Sequence, residues 1–168
     1  MPLPGVVSSI KRWAGVIGVP PEWLDAIINF ETAGTYSVTA RNPYSGAMGL
    51  IQVTDTTARS VFHVENSAAL SEQYPTFDSY MENVVVPYFR RYAPFPTKQS
   101  FYMSVFYPAY RNSPADTVFS EKVREVNPGI DTVQDYVDKV DRKINPAPFA
   151  AAGAGLAALL LLWFLMRR

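Results

Sequence analysis

Cysteine is absent from the chain and histidine occurs once, at His63. Without a thiol there is no cysteine nucleophile and no Cys-ligated zinc site. With one imidazole, a two-histidine zinc hydrolase cannot be built. A serine–histidine–aspartate triad would have to use His63, and no serine sits in a glycine-flanked nucleophile elbow. His63 therefore reads as an ordinary helix residue. Phosphate-cradling loops are missing too, because Gly46 and Gly49 lack the lysine and the preceding strand that such loops need. Neither a metal nor an organic cofactor is expected. An excess of one charge is lacking as well: 15 Lys and Arg face 15 Asp and Glu. Two of the basic residues are Arg167 and Arg168, and no acid lies beyond Asp141, so the rest of the chain stands at 13 minus 15, or −2. A nucleic-acid binder would show a basic field, so nucleic acid is not an expected partner. Arg90-Arg91, beside Tyr88 and Tyr92, reads as a solvated helix face.

What the chain does have is an acid in an unusual place. Pro20-Pro21-Glu22 is a helix-start signal, with proline tolerated in the first turn and an acid at the positive end of the dipole. From there Leu24, Ile27, Ile28 and Glu31 recur at i, i+3, i+4 and i+7, on one helix face. Gly34 stops the helix. Glu31 thus shares the stripe that buries itself, and a desolvated carboxyl holds its proton to higher pH. A general acid working near neutrality needs that property. The plain alternative is a glutamate at a helix end paired with an arginine. No Asp or Glu lies between Glu31 and Asp55.

Asn42-Pro43 and Ser45-Gly46 are turn dipeptides, so residues 35–48 read as a loop or short hairpin. Gly49 then opens an apolar turn read as helical, and Gln52 carries an amide with both donor and acceptor. Thr54-Asp55 looks like an N-cap. Glu31-Thr32, Ser45-Gly46-Ala47-Met48-Gly49-Leu50-Ile51-Gln52 and Thr57-Ala58 together resemble the lytic transglycosylases of the soluble-lytic-transglycosylase type, in the lysozyme-like superfamily. Thr32 stands where serine is usual, and Asp55 where proline is common. The resemblance runs over about residues 20 to 140, with its specific motifs in the first third.

The family also carries an Ala-Tyr-Asn segment whose tyrosine reaches toward the acid. Tyr107, in Phe106-Tyr107-Pro108-Ala109, is the natural match, with Pro108 in place of the asparagine. Tyr136 matches a late family tyrosine if one residue is inserted after Asp131-Thr132. Core packing is the alternative for both, since aromatics make up 14% of the chain. The resemblance implies Glu31 as the catalytic acid, with Ser45, Met48, Gly49, Gln52, Tyr107 and Tyr136 contacting peptidoglycan glycan strands. It implies cleavage of the β-1,4 bond between N-acetylmuramic acid and N-acetylglucosamine, with 1,6-anhydro ring closure. A hydrolytic goose-type lysozyme and a non-catalytic peptidoglycan-binding membrane protein are the alternatives.

Ala147 to Met166 are 20 residues without a charge, about 30 Å of helix and the thickness of a bilayer core. A single membrane span is expected over 147–166, after a proline-marked linker at 145–148. Val6 to Ile17 is interrupted by Lys11 and Arg12 and does not read as a signal peptide. A phage virion whose proteins carry the enzyme to the host wall in the periplasm is the expected route of delivery. The expected architecture is mainly α: a lysozyme-like domain over 1–144, helices near 5–17, 20–32, 49–64, 77–92, 98–110 and 131–144, and β-structure only between 35 and 48.

Overall fold

A computed structural model of the chain describes residues 4–144. The linker expected at 145–148 and the span expected at 147–166 lie outside the described residues. Within them the fold is mainly helical, 59% helix with no strand, and no helix is long and apolar enough to cross a membrane.

Helix α1 (Pro4–Ile17) leads into α2 (Pro21–Glu31), which starts as its prolines dictate: Pro20 holds φ −58 and Pro21 fills the first turn. Leu24, Ala26, Ile27, Ile28 and Phe30 of α2 are buried. A long loop follows to α3 (Asp55–Phe62) and α4 (Ser67–Gln73). Next comes a near-continuous rod: α5 (Phe77–Tyr80), a π turn (Met81–Val85) and α6 (Val86–Arg90). Pro87 has no N–H to give to a carbonyl one turn back, and the widened turn just before it absorbs that defect. After α7 (Lys98–Phe106) come a 3₁₀ turn (Pro108–Tyr110), α8 (Glu121–Val126) and α9 (Val133–Ile144). Helix α2 is the hub, packing against α1, α7 and α9. Helix α7 is buried over Ser100–Ser104, where Phe101 stacks on Phe89 at 4.3 Å.

Several elements differ from expectation. Residues 49–64 do not form one helix. Gly49 (φ 92) and Gln52 (φ 49) are both left-handed, which no α-helix accommodates. Met48 and Val53 instead exchange backbone bonds of 2.9 and 2.8 Å, and Gly49–Gln52 is the turn between them. The helix begins only at Asp55, capped by the Thr54 side chain, which accepts from the Thr57 N–H. The helix expected over 98–110 ends at Phe106, because the residue before a proline is pushed out of the helical region; Tyr107 sits at φ −150, ψ 85. Helices α4 and α8 were not expected; at seven and six residues they are too short to show a period. The region from 35 to 48 holds no strand, only isolated bridges such as Arg41 to Met48, and β-pairing is not confined to it, since Val118 and Thr132 form a further bridge.

Candidate active site

Glu31 is the last residue of α2. Beyond it Thr32 turns the chain: its hydroxyl donates to the Ile28 carbonyl at 2.7 Å and accepts from the Tyr36 N–H at 3.0 Å. Gly34, at φ 81, donates to the Asn29 carbonyl at 2.8 Å and closes the helix end. The Tyr36 hydroxyl donates to Asp25 at 2.9 Å and accepts from the Asn29 amide at 2.9 Å, strapping the loop back onto α2. The helix terminus that presents Glu31 is therefore fixed from both sides.

Glu31 is 9% exposed, and its Oε2 is buried with no hydrogen-bond partner among the described residues. Its Oε1 accepts from the Tyr136 hydroxyl at 3.3 Å, across 105 positions of sequence. Loss of solvation pushes the Glu31 carboxyl from 4.5 up to about 7, and the Tyr136 hydrogen bond opposes part of that rise. Among the described residues no second carboxylate contributes to the shift. Burial and the neighbouring Glu31 charge push the Tyr136 phenol well above its ordinary value, so it stays a donor. The Tyr136 ring is held in place by Phe106, stacked at 4.3 Å and 13°, and by Phe30, edge-on at 5.8 Å. An acid poised near neutrality, with one oxygen oriented and the other unpartnered, can give a proton to an oxygen and take one back.

The residues singled out in the sequence fall into three groups. Glu31 and Tyr136 meet directly, although Tyr107 was the first choice for that contact. Tyr107 instead caps α7 and stacks on Tyr110 at 4.8 Å. Ser45, Met48, Gly49 and Gln52 make a knot of their own. The Ser45 hydroxyl accepts from the Ala47 N–H at 3.2 Å. The Gln52 amide turns inward and donates to the Ala40 and Gly49 carbonyls at 2.9 and 3.0 Å. Neither amide N–H is left to point at a sugar. Gly49 is required by what lies beneath it, since a Cβ there would stand 2.1 Å from the hydroxyl of fully buried Tyr80. Glu31 makes no hydrogen bond to this knot among the described residues.

Tyr88 and Phe106 were not picked out as site residues. Tyr88 donates to the Ser104 carbonyl at 2.8 Å. Burial raises its phenol first, and the Glu31 charge is a further contributor. Nothing local in the sequence marks either residue, because both are positioned by helices distant in the chain. His63 is exposed at φ 57, in the left-handed cap of α3. A cavity of about 260 Å³ lined by Val7, Ile10, Lys11, Pro21, Glu22 and Asp25 belongs to the start of α2, roughly 9 to 15 Å along the helix axis from Glu31. It is not part of this site.

Tyr136→Phe keeps the ring in its aromatic clamp and removes the hydroxyl. That hydroxyl stabilises the carboxylate, so its loss should raise the Glu31 pKa further above about 7. Carboxyl carbon shifts of labelled glutamate followed against pH will show the midpoint moving up. An unmoved or lowered midpoint would mean the hydrogen bond does not tune the acid.

Compared with models of known families, with curated proteins and with solved structures, the chain matches none.

Proposed function

We propose that the protein is a peptidoglycan-degrading lytic transglycosylase with Glu31 as its one acid–base residue. The observation that carries this is the Glu31 environment: a helix-end carboxyl, buried, raised to about 7, oriented by Tyr136 at 3.3 Å, with an unpartnered Oε2. In the first step the Glu31 O–H protonates the glycosidic oxygen between N-acetylmuramic acid and N-acetylglucosamine, and the C1–O bond breaks. In the second, the Glu31 carboxylate takes the proton of the muramoyl C6 hydroxyl. The C6 oxygen bonds to C1 and closes the 1,6-anhydro ring, which returns Glu31 to its protonated form. Water is not consumed.

Glycosidases with two carboxylates place them about 5 to 9.5 Å apart, close enough for each to perturb the other. Glu31 feels no such partner, which supports a mechanism with one acid. Mass spectrometry of muropeptides released from purified sacculi tests the proposal. Anhydro ends are expected; reducing ends would instead make it a hydrolytic lysozyme, and no release a wall-binding protein.

We place the membrane anchor at 147–166 on its 20 uncharged residues. A virion would bring such an anchored domain to the host wall at infection. Two outcomes are expected: purified virions yield the protein only with detergent, and a chain ending at residue 146 is soluble and retains lytic activity. A truncated chain that still sediments with membranes would overturn the anchor.

A further inference from the structure

Two guanidinium groups converge on one aromatic ring at the edge of the Glu31 site. Arg111 stands 5.7 Å and Arg91 6.0 Å from the Tyr92 ring centre. Neither is ion-paired with an acid among the described residues, whereas Arg12 is bound to Asp78 and Lys98 to Asp141. Arg91 is exposed, and Tyr92 and Arg111 are half-buried, so the cluster faces solvent. Arg91 and Arg111 come from different segments, one after α6 and one after the 3₁₀ turn, and neither helix periodicity nor a local motif brings them together.

The cluster is continuous with the acid. The Tyr92 ring lies edge-on to Tyr88 at 5.4 Å, and Tyr88 is close enough to sense the Glu31 charge. A second route runs from Tyr136 through Phe106 at 4.3 Å and Phe119 at 5.7 Å to Tyr110 at 5.2 Å, next to Arg111. Tyr136, Phe119 and Tyr88 are buried, so these rings pack the cluster onto the core behind Glu31, and Tyr92, Arg91 and Arg111 are the members that reach the surface. Guanidinium forks recognise carboxylates bidentately, and aromatic faces suit the apolar faces of sugar rings.

We propose that Arg91, Arg111 and Tyr92 form a subsite for the carboxylate-bearing substituent on the muramoyl residue. This rests on the function proposed above and names the part of the substrate that chitin-like strands lack. The anion is either a carboxylate of the peptide stem or, where the stem has been removed, the lactyl carboxylate itself.

Three strand preparations test this: peptide-bearing strands, amidase-stripped strands with free lactyl carboxylates, and stripped strands whose lactyl groups are converted to neutral amides. The preference of the wild type for a carboxylate-bearing strand over the neutral one, measured as a ratio of kcat/KM values, should fall roughly tenfold in Arg91→Gln/Arg111→Gln, mainly through KM. The preparation on which the loss falls identifies the stem or the lactyl group as the source. A ratio equal to that of the wild type on both overturns the subsite. Titration of a muramoyl tetrapeptide into Glu31→Gln protein, followed by amide shifts with and without the two arginine changes, gives a readout independent of turnover. If the wild type cleaves nothing, the enzyme proposal falls; weaker titration in the arginine variant then still upholds the anion site, and equal titration overturns it.

Discussion

Glu31→Gln is expected to reduce wall lysis by at least about a thousandfold while leaving the helical fold unchanged by circular dichroism. General acid–base catalysis contributes about 10² to 10⁴, and here one group carries both proton transfers. Glutamine fills the same space and can accept from Tyr136, but it has no proton to transfer. Residual activity above about 10% would remove Glu31 from the chemistry.

The same substitution makes a second, independent prediction through linkage. Glu31 titrates at about 7 in the folded protein against 4.5 for the unperturbed group. Between those values the folded state binds the proton that the unfolded chain has released. The associated stability is therefore fully present below 4.5 and is lost as pH rises through about 7. Integrated from pH 5 to pH 8, the loss is about 2 to 3 kcal/mol. The glutamine variant lacks this dependence. Its unfolding free energy relative to wild type should improve by that amount over the same interval, measured by urea denaturation at each pH. A constant difference would mean that Glu31 is not desolvated in the folded protein.

The helix carrying Glu31 was legible because its information is local: prolines at its start, a 3.6-residue apolar stripe, and glycine at its end. The identity of the residue that orients the acid was not. Tyr136 reaches Glu31 across 105 positions, and no window of sequence contains that contact. Tyr107 looked better placed because it sits in a familiar segment, yet the proline after it forces its backbone out of the helix and sends its ring toward Tyr110. That effect of Pro108 was readable in principle. The turn at Gly49–Gln52 was misread for a different reason. Leu50 and Ile51 are apolar, but they are buried by a left-handed turn beneath which Tyr80 packs, and short apolar runs do not distinguish a turn from a helix.

That turn carries the largest expected effect on stability. Gly49→Ala should destabilise the fold by about 3 kcal/mol or more, with loss of cooperative unfolding as the extreme outcome. Two costs add. An alanine at φ 92 incurs roughly 1 to 2 kcal/mol of left-handed backbone strain. Its Cβ would also lie 2.1 Å from the Tyr80 hydroxyl and 2.5 Å from the ring carbon bearing it. Tyr80 is fully buried and cannot swing aside, so the overpacking costs typically 1 to 3 kcal/mol more. Gly18→Ala separates the two costs: its φ is 84, but nothing lies within 4 Å of its Cβ position, so only the strain remains. A double-mutant cycle completes the test. In a Tyr80→Leu background, Gly49→Ala should cost less than it does in the wild type, because the obstructing hydroxyl and ring are gone. Equal costs for Gly49→Ala and Gly18→Ala, with no coupling to Tyr80, would show that Gly49 is not held by packing and would return it to the sugar-contacting role that its motif suggested.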